Sequence, residues 1–301
     1  MSAARPGGPG ETLAAWRAQV ERGLADAVAA PAEASGAAAK LLDAMRYALL
    51  GGGKRLRPLL TLAACRACGG TDEAALPAAL AIEMIHAYSL VHDDLPAMDD
   101  DDLRRGRPTT HKVYGEAMAI LAGDALQTRA FEVLARGPLP GATIAVQVAA
   151  LAAAAGPAGM AGGQALDLAA AGRPADAAAV ARIDRMKTGA LLTACFEVGA
   201  LAAGAPEPLR VRLVRCGILV GEAFQIQDDI LDLTASTEQL GKTAGKDLAQ
   251  GKATWPALVG LEAARQRTAA LRDEALAELD ALGAAAEPLL ALVRAAVDRS
   301  S

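Results

Sequence analysis

Aromatic side chains make up only 3% of the 301 residues, and histidine occurs three times. Runs of β-branched residues are thin as well, while alanine, a strong helix former, is abundant, so the composition predicts an all-α protein. Basic charge is not in excess. The net charge of −5 argues against a nucleic-acid partner, which calls for a positive field. The histidines His86, His92 and His111 fall into no Ser–His–acid or Cys–His pattern that would mark a nucleophile. His92–Asp93 resembles the pair of metal-dependent HD hydrolases, but the further histidines of such a site are not suitably placed.

The four cysteines form no metal or redox set either: Cys65 and Cys68 make a CxxC, but Cys195 and Cys216 stand far apart. They read as small core residues of a protein in the reducing cytoplasm. The opening MSAARPGGPG (1–10) reads as a short disordered lead and lacks the cationic region and apolar core of a signal peptide. The apolar stretch 141–163 is interrupted by Gln147, Gly156, Pro157 and Gly159. It therefore predicts two helices meeting at a turn, with no transmembrane segment. No internal repeat and no linker divides the chain, so residues 11–301 are expected to form a single domain.

What the chain does have is acid in unusual places. Residues 92–102 read HDDLPAMDDDD, with Asp93, Asp94, Asp99, Asp100, Asp101 and Asp102 close together behind an apolar stretch that reads as a buried helix over 73–95. Such crowded carboxylates raise one another's pKa unless a cation neutralises them. A solvated acidic turn is one reading. A bound hard cation, Mg²⁺ or Ca²⁺, is the other, since these ions take oxygen ligands. Pro96 ends or bends the helix, and a bulge there lets Asp93 and Asp99, six apart, converge on one ion. The glycine and distal glutamate of an EF-hand are missing.

A second acid cluster lies in ILVGEAFQIQDDILDL (218–233). Asp228 and Asp232 are at i and i+4, on one helix face, with Gln225 a turn earlier. Unpaired carboxylates are costly on a helix that is otherwise apolar, so two such clusters are harder to dismiss than one.

Cations lie close to both. After a helix over 34–50, broken by Gly51–Gly53, come Lys54, Arg55, Arg57 and Pro58 at the start of the next helix (59–69), which suits an anion. The P-loop pattern is absent, and an exposed basic hinge is the alternative. Arg104, Arg105 and Arg107 follow the first acid cluster, and Lys242, Lys246 and Lys252 occupy a glycine-rich stretch after the second. Helices are predicted at 11–30, 112–136, 141–155, 158–170 and 176–203. The last carries Lys187 and Thr188 in apolar surroundings, and residues 256–299 read as closing helices without chemistry. Two acid clusters with basic patches suggest metal ions bridging carboxylates to a diphosphate, held also by Lys and Arg. The chemistry is then ionisation of the carbon–oxygen bond in an apolar pocket that keeps water from the carbocation.

The stretches GGGKRLRP (51–58), IHAYSLVHDDLPAMDDDDLRRGRPTTH (85–111), GGQALDL (162–168), KTGALL (187–192), FQIQDDILD (224–232) and GKTAGKD (241–247) resemble, in order, the trans-isoprenyl diphosphate synthase (polyprenyl synthetase) family, most of all its bacterial farnesyl diphosphate synthases. The resemblance implies an orthogonal bundle of about ten or more helices around a deep central pocket, usually a homodimer. It implies Asp93, Asp99 and Asp228 as ligands of three Mg²⁺ ions that hold an allylic diphosphate, with Asp94 and Asp232 in support. Arg104, Lys187 and Lys242 would grip that diphosphate, with Lys252 among the lysines over it. Lys54, Arg57, His86 and Arg105 would hold isopentenyl diphosphate. Thr188 and Gln225 would set oxygen dipoles near the developing cation.

Tyr88 lies five residues before Asp93, about 7.5 Å down a helix. A bulky ring there should floor the pocket, and an aromatic at this place with a first acid cluster two residues longer resembles enzymes that stop at fifteen carbons; Ser89 beside it is a further candidate for setting chain length, and an ordinary core tyrosine is the alternative. A geranylgeranyl synthase, a class I terpene cyclase and a non-catalytic prenyl-diphosphate-binding subunit are rivals. The intact DDILD argues against the cyclase, and two complete acid clusters argue against the subunit.

Overall fold

The structure, a computed structural model, describes residues 8–29, 35–170, 172, 176–234 and 254–299. Lys242, Lys246 and Lys252 lie outside them. The expected all-α architecture is met. In order come α1 (Pro9–Ala27), α2 (Gly36–Leu49), α3 (Leu56–Ala67), α4 (Asp72–Asp93), α5 (Thr110–Tyr114), α6 (Glu116–Ala135), α7 (Gly141–Ala155), α8 (Met160–Ala170), α9 (Ala177–Asp184), α10 (Ala190–Ala202) and α11 (Glu207–Thr234). α12 (Trp255–Val259), α13 (Leu261–Asp280) and α14 (Glu287–Val297) complete it. Among the described residues the only strands, Leu103–Arg104 and Arg107–Pro108, form a two-residue antiparallel ribbon.

Burial explains the layout. α3, α4 and α10 are apolar around most of their circumference, so they form the centre, with Leu60, Leu62, Ile82, Ile85 and Phe196 fully enclosed. Thr71 caps α4, its side-chain oxygen accepting from Ala74 N–H at 3.3 Å. Arg55 enters α3 with a left-handed backbone (φ 52°) and is buried. Its guanidinium is spent on Glu21 (2.8 Å) and Glu83 (2.9 Å), so of the three cations expected at this helix start, Arg55 is structural.

The stretch 141–170 is long and apolar enough to cross a membrane, as is α4. It is nevertheless divided into α7 and α8 by a turn, as its glycines and proline predict. Two predicted helices are interrupted. Gly115, at φ 86°, separates α5 from α6. More consequentially, 176–203 is not one helix: residues Arg185–Gly189 form a π-helical turn between α9 and α10. Such turns insert one residue into an α-helix and re-aim its side chains. Neighbouring backbones follow this wall closely. A Cβ at Gly221 of α11 would stand 2.9 Å from Gly189 Cα, and one at Gly217 would stand 2.8 Å from Thr193 Cα.

Candidate active site

A cavity of about 710 Å³ opens among α3, α4, α8–α11 and the ribbon, within the size range of small-molecule sites. Asp93 and Asp99 line it from the end of α4, and Asp228 and Asp229 from α11. The bulge expected near Pro96 is a tight turn in which Asp99 N–H donates to the Asp93 carbonyl at 2.8 Å. Asp93 is pushed up to about 6, mainly by burial and further by Asp99, with Lys187 opposing. Carboxylates drawn from two helices and offering only oxygen fit a hard divalent cation. Among the described residues the only three ligand atoms within 4.8 Å of one another belong to Asp100, Asp102 and His111, which do not line the cavity. Asp93, Asp99 and Asp228 thus line the cavity without their ligand atoms all lying within that distance of one another.

Not every expected residue reaches the wall. Asp94 is buried and accepts Arg104 Nε at 3.0 Å. Asp232 is 7% exposed, off the wall, with Oδ1 unpartnered. Lys54 is also absent from the lining, its pKa lowered by burial and then by Arg299. Arg104 does face the cavity, but it is held by Asp94 and by Asp101 (3.2 Å). Burial opposes its charge, and the Asp94 carboxylate overrides that and raises its pKa.

Arg57, His86 and Arg105 meet on one side. Arg105 sits in the tight turn of the ribbon, with Arg105 (φ 54°) and Gly106 (φ 72°) both left-handed, and donates to the Gly52 carbonyl. Burial and then Arg57 drive the His86 pKa well below 6.5. His86 is thus neutral, and its Nε2 accepts from Arg57 at 3.3 Å. It orients Arg57 and adds no charge, while Arg57 Nε stays buried and unpartnered.

The π turn brings Lys187 and Thr188 to the opposite wall. Lys187 Nζ meets Asp167 at 2.6 Å. A chain of hydrogen bonds starts beside it. Thr188 Oγ1 donates to Gln225 Oε1 (2.8 Å), and Gln225 Nε2 donates to Asp229 (3.0 Å). Trp255 N–H donates to the other Asp229 oxygen (2.9 Å), and Trp255 Nε1 donates to Asp184 (2.9 Å). Asp184 is pushed up to about 8, by burial and then by Asp229. Tyr88 and Ser89 line the same cavity.

Arg299 had no signal in the sequence. It lies beyond the last helix, yet its guanidinium stacks on Phe224 (3.9 Å) and meets Asp228 at 3.0 Å inside the cavity. Residues 256–299 are therefore not free of polar groups at the site.

The polyprenyl synthetase family model matches residues 38–286. The chain belongs to the polyprenyl synthetase family. It is 47% identical over 291 residues to a dimethylallyltranstransferase of Fischerella ambigua (strain UTEX 1903), covering 96% of this chain and 83% of that one. It is 48% identical over 259 residues to geranylgeranyl pyrophosphate synthase 9, chloroplastic, of Arabidopsis thaliana, covering 83% and 71%. An FPP/GFPP synthase structure from Zymomonas mobilis superposes with a TM-score of 0.85 at 41% identity, over 96% of this chain and 98% of that one. A Helicobacter pylori geranyltransferase complexed with magnesium and isoprenyl diphosphate gives 0.85 at 34%, over 99% and 98%. As a polyprenyl synthetase, the chain is a short-chain trans-prenyltransferase of a Mg²⁺-dependent family whose substrates are prenyl diphosphates.

Proposed function

We infer that this prenyltransferase joins isopentenyl diphosphate head-to-tail to dimethylallyl and then geranyl diphosphate, releasing diphosphate and farnesyl diphosphate. One observation carries the reading: acids from α4 and α11 line the same cavity as Tyr88. Asp93, Asp99 and Asp228 hold Mg²⁺, three ions when substrate is bound. The ions supply the positive charge that makes diphosphate a leaving group. Lys187 and Arg104 grip the allylic diphosphate, with Lys242 and Lys252 outside the described residues. Arg57, set by neutral His86, and Arg105 hold the second diphosphate, with Lys54 nearby. Asp94 supports by fixing Arg104. The oxygens of Thr188 and Gln225 face the allylic carbon as positive charge develops. Leu191, Met160 and Leu168 on the cavity wall keep water from it. The isopentenyl double bond attacks, and the departing diphosphate takes the proton.

Tyr88 floors the cavity, which sets fifteen carbons as the stopping point. Geranylgeranyl diphosphate is the second reading, favoured by the names of the Arabidopsis relatives. Residues 11–301 act as one domain, and exposed Ile120, Leu121 and Val146 on α6 and α7 support a homodimer. Four free thiols support a cytoplasmic setting. The test is product chromatography with diphosphate release from geranyl plus isopentenyl diphosphate, with and without Mg²⁺. A twenty-carbon product would replace the farnesyl reading by the second, and no Mg²⁺-dependent diphosphate release would sink both.

A further inference from the structure

We propose that His92 and Gly123 form a spacer that determines product length by setting how much room remains beside Tyr88. The inference rests on the prenyl-chain-elongating activity proposed above. α4 and α6 run against each other, with His92 set against Gly123. The rings of Tyr88 and His92, one helical turn apart, meet edge to face at 5.8 Å, and both line the cavity. His92 Nε2–H donates to the Ile120 carbonyl of α6 at 3.0 Å.

Gly123 is buried in the interior of α6, where glycine costs about 1 kcal/mol against alanine. Its backbone is not left-handed, so conformation does not call for glycine there. Space does. A Cβ at 123 would collide with the His92 imidazole, standing 2.8 Å even from Cε1, the farthest of the three nearest atoms. Backbone closes the α6 side of the ring, and the cavity is its open side. A methyl at 123 therefore drives the imidazole off Ile120 and into the cavity above Tyr88, where a growing prenyl tail must pass.

Two substitutions follow with opposite signs. Gly123→Ala pushes the ring inward and shifts products toward the next shorter length, ten carbons for a fifteen-carbon enzyme. His92→Ala leaves Tyr88 in place, empties the volume beside it and shifts products toward the next longer length. Each shift in the ratio of adjacent products is about tenfold, the discrimination that a methylene or more of apolar room gives. In Gly123→Ala/His92→Ala the new methyl meets no ring, and the product length returns toward that of the parent.

The experiment is radiolabelled or mass-spectrometric product analysis of parent, both single variants and the double variant. Opposite shifts with reversion in the double variant support the spacer. Unchanged lengths in soluble, folded His92→Ala, or single-variant shifts of the same sign, overturn it. Should Gly123→Ala not fold, His92→Ala and the double variant still decide it. The parent's own product tests the farnesyl reading separately, because the signs of the shifts do not depend on the starting length.

Discussion

Asp229→Asn tests how the cation-facing oxygens are held. Asp229 is 6% exposed, and among the described residues its two carboxylate oxygens accept Gln225 Nε2 at 3.0 Å and Trp255 N–H at 2.9 Å. Asparagine has one acceptor oxygen for those two donors. The backbone N–H of Trp255 is fixed at the start of α12, whereas the Gln225 amide turns freely. The oxygen of the substituted amide therefore goes to Trp255, its NH₂ faces Gln225, and the Gln225 amide flips. Thr188, which now donates to Gln225 Oε1 at 2.8 Å, then meets an NH₂ group. On the proposed function, the oxygen dipole beside the allylic carbon is replaced by a positive one. Removing one preorganised dipole of this kind costs on the order of 10²-fold or more in kcat. KM for both diphosphates should stay near the parent value, because the proposed function sets these groups against the hydrocarbon and not the phosphates. The assay is diphosphate release at saturating Mg²⁺ with full KM curves. Trp255→Phe keeps the backbone N–H to Asp229, losing only the indole bond to Asp184, and retains most of kcat. A kcat for Asp229→Asn within about threefold of the parent, below the range of a lost catalytic dipole, or a loss confined to KM, would refute the reasoning.

Asp93→Ala and Asp228→Ala each lower turnover by several orders of magnitude while leaving the circular dichroism spectrum unchanged; near-parent turnover would remove both from the metal assignment. In metal-free protein, Asp184 binds its proton more tightly folded (about 8) than unfolded (3.8). Its contribution to stability is full below pH 3.8 and lost as pH rises toward 8. Asp184→Asn removes that loss, so urea titration should find the variant gaining on the parent, on the order of a few kcal/mol, between about pH 5 and about pH 8.5; a pH-independent difference would contradict this. Gly221→Ala places a Cβ 2.9 Å from Gly189 Cα and costs about 1–3 kcal/mol by overpacking, visible as a lowered Tm.

The acid clusters, the basic entrance and most helix ends were legible because each depends on neighbours in sequence. Spacing placed Asp228 and Asp232 on one face of α11. It could not show that the cavity ends within a helical turn, so that Asp228 lines it and Asp232 does not. The family resemblance implied Asp94 in support of the metal ligands; successive helix positions point about 100° apart, and Asp94 turns to Arg104. Arg299, Trp255 and Asp184 belong to the site through contacts spanning 71 residues each for Arg299–Asp228 and Trp255–Asp184; no local pattern records such pairings. Periodicity also passes over a single inserted residue, which is why 176–203 read as one helix.

That inserted residue makes the wall sensitive to chain length as well as to composition. Excising one residue between Arg185 and Gly189 would let α9 run straight into α10 with its helical signal intact. Every side chain on the far side of the cut would turn by about 100°. Lys187 would swing off Asp167 and Thr188 off Gln225, giving a protein that is spectroscopically ordinary and catalytically silent. In this segment function constrains register as well as residue identity.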